Sequence, residues 1–229
     1  MTDDEDTKET LRIEAFSDGV FAIAITLLVL ELKVPPDLKP DESLLRALLQ
    51  SWPSYAAFLV SFATILIMWV NHHRLFTLIH RSDNRLLLMN GLVLLVITIV
   101  PFPTALLARY FHTPQGHTAA LLYTGHAFLI AVAYSLLWRY AAAGAGRLLG
   151  PGVDVKAVEA IGHHYRFGPL LYLGSFGVAL WSEIWSLVVN AALAIFFALP
   201  PRYLKEQSMM QARRGRRRPS MKSTETTPD

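Results

Sequence analysis

The sequence predicts an all-α membrane protein of six transmembrane helices with both termini cytoplasmic. Two observations predict it: five long apolar stretches, and a strong bias of Lys and Arg toward one set of the segments that join them. Of 229 residues, 53% are hydrophobic and only 17% are charged, with the charge crowded at the two ends of the chain. That composition excludes a disordered chain, a collagen-like repeat and most soluble enzymes. With no cysteine present, disulfide scaffolds, Cys-ligated zinc and thiol nucleophiles are excluded as well.

A helix needs about 20 apolar residues to cross a hydrocarbon core about 30 Å thick. The first such run covers residues 13–32, the second 52–70, the third 86–107 and the fourth 119–143. The fifth covers 168–199, with Glu183 as its one charge, and suits either one very long helix or two joined near Trp181, Ser182 and Glu183. Charge bias decides between them, because cytoplasmic segments carry the excess of Lys and Arg. With six helices and an inner N-terminus, 17 of the 21 basic residues fall inside, and only Lys33, Lys39, Arg46 and Arg109 fall outside. Five helices would put the eight basic residues after position 199 on the outer side. The last two helices are short if confined to 168–199, so the fifth is expected to start earlier, with Glu183 at the outer turn between them.

The acidic start of the chain (Asp3, Asp4, Glu5, Asp6, Glu9) and the length of the following run do not fit a signal peptide. Residues 1–10 read as an acidic cytoplasmic N-terminus and residues 11–205 as one six-helix unit. Residues 206–229, which contain Arg213, Arg214, Arg216, Arg217 and Arg218, read as a basic disordered cytoplasmic tail that anchors the topology. Adhesion of that tail to anionic lipid is the weaker reading, and no nucleic-acid partner is expected.

The first helix carries the chemistry. Charged groups in membrane spans are costly and mark function by default. Arg12, Glu14 and Asp18 stand at its inner end and Glu31 at its outer end, with Thr26 the one polar side chain between Asp18 and Glu31. At about 100° per residue, with Ile23 at zero, Leu30 falls near −20°, Leu27 near +40°, Thr26 near −60°, Gly19 near −40° and Phe16 near +20°. These residues form one stripe. Asp18 lies about 140° and Ser17 about 120° from it, so a stripe facing an axis turns both toward the other helices. The second helix ends at the same depth with Trp69, Asn71, His72 and His73. A buried carboxylate needs such partners, which predicts an inner-leaflet polar cluster of Arg12, Ser17, Asp18, Trp69 and His72 or His73. The same residues also suit separate interfacial anchors.

The pattern Arg12-x-x-x-Phe16-Ser17-Asp18, followed by Ala22-Ile23 and Thr26-Leu27-Leu28-Val29-Leu30-Glu31, resembles the signature of the lysosomal potassium channel family and its bacterial relatives. The turn at Trp69–His73 and the segment Pro101-Phe102-Pro103-Thr104 resemble that family too. The resemblance spans about residues 10–205. It implies a potassium-preferring cation channel of the bacterial cell membrane, a homotetramer of single six-helix units whose pore is lined by the first helix. It further implies that Ile23, Leu27 and Leu30 form a hydrophobic constriction, that Thr26 forms a polar ring linked to selectivity, and that Arg12, Phe16, Ser17 and Asp18 form a structural motif. Gly19 stands where such motifs also carry Ala. The expected partners are further copies of the chain and membrane lipid. No cofactor is expected beyond the permeant potassium ion.

The chain contains no Thr-Val-Gly-Tyr-Gly segment, so a carbonyl filter is not supported. An apolar ring that gates by dewetting is the physical alternative. A secondary transporter would place charges or broken helices at the midplane, where this chain is apolar. A proton-permeable channel is a further alternative. A membrane-embedded enzyme would use Ser17, Asp18 and His72, which share one depth. The adjacent pairs His72-His73 and His163-His164 lack the i, i+4 spacing of a helical zinc site, so no metal is expected. Pro101 and Pro103 predict a bend in the third span. Gly144, Gly146, Gly150 and Gly152 predict a flexible linker, since no Gly-Lys-Ser/Thr ending follows them.

Overall fold

The computed structural model describes residues 3–34, 43–151 and 153–199, with side chains from residue 9 onward, 145 excepted. Lys39 and the basic segment 206–229 lie outside the described residues. The described chain is helical: α1 (Asp3–Leu27), α2 (Leu44–Gln50), α3 (Trp52–Phe76), α4 (Asn84–Ile99), α5 (Pro101–Tyr110), α6 (Gly116–Ala141), α7 (Ala143–Gly146), α8 (Val155–Ala179) and α9 (Glu183–Ala198). Four described helical stretches are long and apolar enough to cross a membrane: Glu9–Glu31, Trp52–Phe76, Asn84–Tyr110 and Gly116–Ala141. The helix α9 is apolar but shorter.

The first helix runs from Asp3 without a break at residue 10, so the acidic segment is continuous with the span. After Leu27 it tightens into a 3₁₀ turn over Leu28–Glu31. The third apolar run divides at Val100, ahead of Pro101. Proline has no N–H to continue the ladder, and the Val100 N–H accordingly donates to the Ile97 carbonyl in a tighter turn (3.1 Å). The fifth run divides at residues 180–182. Ser182 caps α9 there by accepting from the Trp185 N–H, and a side-chain oxygen at that position satisfies one of the donors a helix start leaves free. The helix α8 begins at Val155, well before the apolar run itself.

The core is built where α1, α3, α4 and α6 meet, with Leu28, Ile65, Ile97, Tyr134, Leu137 and Trp138 almost fully buried. The helix α1 contributes Ile13, Ser17, Phe21 and Ala24 to it, and the 3₁₀ turn adds Leu28, a spacing of three and four residues that holds one helical face. At one end of the bundle Gly116 lets the loop before α6 close on α9, because a Cβ there would collide with the Glu183 carboxylate and the Tyr110 carbonyl.

At the opposite end the loop after α3 is tied to the loop before α8 by an Ile79–Leu149 bridge. Beside it, Asp83 caps α4 by accepting from the Leu86 N–H (2.8 Å) and also accepts from the Tyr140 hydroxyl and from Arg147 (both 2.7 Å). Partial burial alone would raise the Asp83 pKa, but Tyr140, the Leu86 N–H and Arg147 outweigh it and hold the carboxyl below its usual range.

Candidate functional site: the first helix and its polar anchor

Two faces of α1 do different work. On the packed face, Ser17 is fully buried and donates its hydroxyl proton to the Ile13 carbonyl (2.8 Å). Its oxygen therefore needs a donor, which is the Asn90 amide N–H of α4 (3.0 Å). That orientation leaves the Asn90 carbonyl oxygen for His72 Nε2 of α3 at 2.8 Å. His72 Nε2 therefore carries a proton, since an oxygen acceptor requires a donor nitrogen. Its Nδ1 is buried without a hydrogen bond, and Phe21 and Phe76 flank the ring, the latter stacked at 4.4 Å. One continuous hydrogen-bonded string therefore joins three helices across their packing seam.

A second string lies nearer the surface. Half-buried Asp18 accepts from the Trp69 indole N–H at 2.8 Å. The Trp69 ring stacks against His73, 6.3 Å between centroids, and His73 Nδ1 lies 2.6 Å from the Glu14 carboxylate. The adjacent histidines diverge as helical spacing requires: His72 points into the core and His73 is exposed. Arg12 is exposed beside a groove lined by Glu9, Phe16 and Asn90 and has no ion pair among the described residues. It does not join the cluster in which the sequence placed it.

Asn90 and Glu14 belong to the cluster without having been expected there. Asn90 is the one side-chain amide inside the apolar run 86–107, which was the available signal. Ser17, Asp18 and His72 do share one end of the bundle, yet His72 reaches Asn90 and not Ser17, and the Ser17 proton is held by its own helix. No serine–histidine couple for nucleophilic chemistry exists there.

The other face of α1 is apolar and uncovered. Phe16 (67%), Ile23 (60%) and Leu30 (62%) are exposed, as are Gly19, Thr26 and Leu27, whereas Ala24 is 1% exposed. The Thr26 hydroxyl donates to the Ile23 carbonyl (2.9 Å), which leaves its oxygen lone pairs turned outward. The 3₁₀ turn changes the geometry that constant α-helical spacing predicts. In a 3₁₀ turn residues i and i+3 eclipse, so Leu30 stacks above Leu27 instead of drifting away from it. The axial rise from Ile23 to Leu30 becomes roughly 12 Å in place of roughly 10 Å.

The profile of the family described as endosomal/lysosomal potassium channel TMEM175 matches residues 12–101. A potassium channel of Chamaesiphon minutus is 52% identical over 200 residues, 87% of this chain and 98% of that one. The chain belongs to the TMEM175 family. A potassium channel of Streptomyces collinus is 44% identical over 190 residues, 82% of this chain and 91% of its own length. The crystal structure of a lysosomal potassium-selective channel TMEM175 homolog from Chamaesiphon minutus superposes with a TM-score of 0.76 at 52% identity, covering 83% of this chain and 97% of that one. TMEM175 proteins are ion channels and not enzymes, so the hydrolase reading of Ser17, Asp18 and His72 is set aside on family as well as on geometry. The TMEM175 match at residues 12–101 takes in the polar anchor, from Glu14 through His73 to Asn90.

Proposed function

We propose that the chain is a potassium channel whose pore is lined by α1 from four identical copies. In this reading Ile23, Leu27 and Leu30 close an apolar constriction, and Thr26 adds a ring of hydroxyl oxygens within it. Arg12, Phe16, Ser17 and Asp18 form the structural motif: Ser17 and Asp18 set the helix in place through Asn90, His72 and Trp69, which stacks on His73, while Arg12 and Phe16 stay exposed in a single copy. The observation that carries the proposal is the two-faced first helix. One stripe is bound into the bundle by Ser17 and Asp18, and the opposite apolar stripe is left open in a single copy.

Lipid alone could cover an apolar face, but its regular stripe of Ile23, Leu27 and Leu30 with Thr26 among them suits a symmetric constriction better. A ring of such side chains offers water no hydrogen bonds and gates by dewetting. An ion crosses when the ring widens enough to keep it partly hydrated. Family membership among channels named for potassium supports the choice of ion. The testing experiment is recording from the purified protein in liposomes under opposed potassium and sodium gradients. The reversal potential is expected to lie toward the potassium equilibrium value; no current, or one indifferent to the cation, overturns the proposal.

The membrane topology belongs to the same reading: six spans in a bacterial inner membrane, with α8 and α9 the fifth and sixth and both termini cytoplasmic. It rests on the 17 of 21 basic residues that this arrangement places inside. A protease added to right-side-out vesicles is expected to leave a C-terminal tag intact. Cleavage of the tag from outside contradicts the six-span arrangement.

A further inference from the structure

The pore does not use a polar groove of about 420 Å³ at the outer end of the bundle, between the 3₁₀ turn, the start of α3 and α5. Glu31, Lys33 and Arg109 line it together with Ser54, Phe102 and Tyr110. Charges of both signs therefore share one groove. Among the described residues neither cation forms an ion pair with Glu31. The Arg109 guanidinium leans over the Tyr110 ring, 5.6 Å from its centroid. Phe102 opens the groove sideways with 63% of its surface exposed.

We propose that this groove binds the headgroup of a phospholipid that carries a primary amine, as in phosphatidylethanolamine. Its phosphate is held by Lys33 and Arg109, and its ammonium by Glu31. The inference rests on the membrane reading above, because Glu31 closes the first span and Tyr110 the third, which sets the groove at headgroup depth. Guanidinium and ammonium groups recognise phosphate by charge-assisted hydrogen bonds. An exposed aromatic beside them suits the boundary between headgroup and acyl chain. The acid decides the lipid class. Phosphatidylglycerol offers the cations the same phosphate but puts a neutral diol where the ammonium would sit, so it leaves the Glu31 charge uncompensated. A choline headgroup supplies positive charge but no N–H for the carboxylate to accept.

The test is lipid retention by the full-length protein in detergent, read by native mass spectrometry after equilibration with phosphatidylethanolamine, phosphatidylglycerol or phosphatidylcholine. The parent is expected to retain phosphatidylethanolamine several-fold more than either other lipid. Lys33→Gln with Arg109→Gln is expected to lower that retention about tenfold, whereas Arg109→Lys, which keeps the charge, retains most of it. Glu31→Gln is expected to erase the preference over phosphatidylglycerol. Equal retention of the three lipids by the parent, or undiminished retention by the double variant, overturns the proposal. The readout needs no current, so a failure of the potassium-channel reading shows in the liposome recordings and not here.

Discussion

Replacing Ile23 by Asn is expected to raise the single-channel conductance about tenfold, the change that a barrier lower by about 1.4 kcal/mol gives. The preference for potassium over sodium is expected to fall with it. Ile23 is exposed on the open face of α1, and in a four-fold ring its side chain meets its own copies. An amide there gives water hydrogen-bonding partners, so the constriction stays wet and passes ions with more of their hydration shell. Ala24 is the matched control, because it is one residue away and buried in the bundle. Ala24→Ser is expected to leave conductance and reversal potential unchanged. Thr26→Val keeps the volume and deletes the outward oxygen. It is expected to weaken selectivity without the rise in conductance. Reversal potentials and unitary currents in potassium and sodium gradients separate the three outcomes.

Replacing Asn90 by Leu is expected to cause the largest loss of stability. The substitution keeps the branched shape and the number of heavy atoms but removes two hydrogen bonds at once, the one given to Ser17 and the one accepted from His72. Each buried group left without its partner costs about 1–3 kcal/mol, and hydrogen bonds between membrane helices are individually worth about 0.6–1.7 kcal/mol. A combined loss of roughly 2–4 kcal/mol is expected, read as a lower thermal midpoint in detergent and a smaller assembled fraction on size exclusion. Asp18→Ala is expected to be milder, because Asp18 is only half-buried and leaves one orphaned donor, the Trp69 indole. Neither variant is expected to shift the reversal potential of the channels that still assemble, since both residues act on the packed face. A fully stable Asp18→Ala assembly with altered selectivity would put Asp18 on the pore instead.

The helices were largely legible in the sequence because apolar length and proline position are local properties. The division of the fifth apolar run near Glu183 was legible from the bias of basic residues, and the break at Pro101 from the missing proline N–H. The two faces of α1 were legible for the same reason: a constant angle per residue separates Ile23 from Ser17. That argument ends at Leu27, where the helix tightens and Leu30 comes to lie over Leu27. Nothing in the run Leu28-Val29-Leu30-Glu31 announces the change. Asn90 was visible as an isolated polar residue, but its partners were not. Pairing it with Ser17 and His72 requires the rotations of α1, α3 and α4 about their own axes, and tertiary packing sets those. Arg12 shows the converse. Its position at the same end of α1 as Asp18 suggested a shared cluster, yet it lies at the edge of a groove on the α4 side of α1 while Asp18 turns toward α3.

The central claim is that the open face of α1 lines the ion path, and the chain's own composition makes a direct test available. It has no cysteine, so one introduced thiol per copy reports alone. Four thiols converging on an axis bind a soft divalent ion tightly. Cadmium is expected to block potassium current through Ile23→Cys and Leu27→Cys channels, with recovery on chelation, and to leave the parent and Ala24→Cys channels conducting. Block at Ala24→Cys with none at Ile23→Cys would contradict the account.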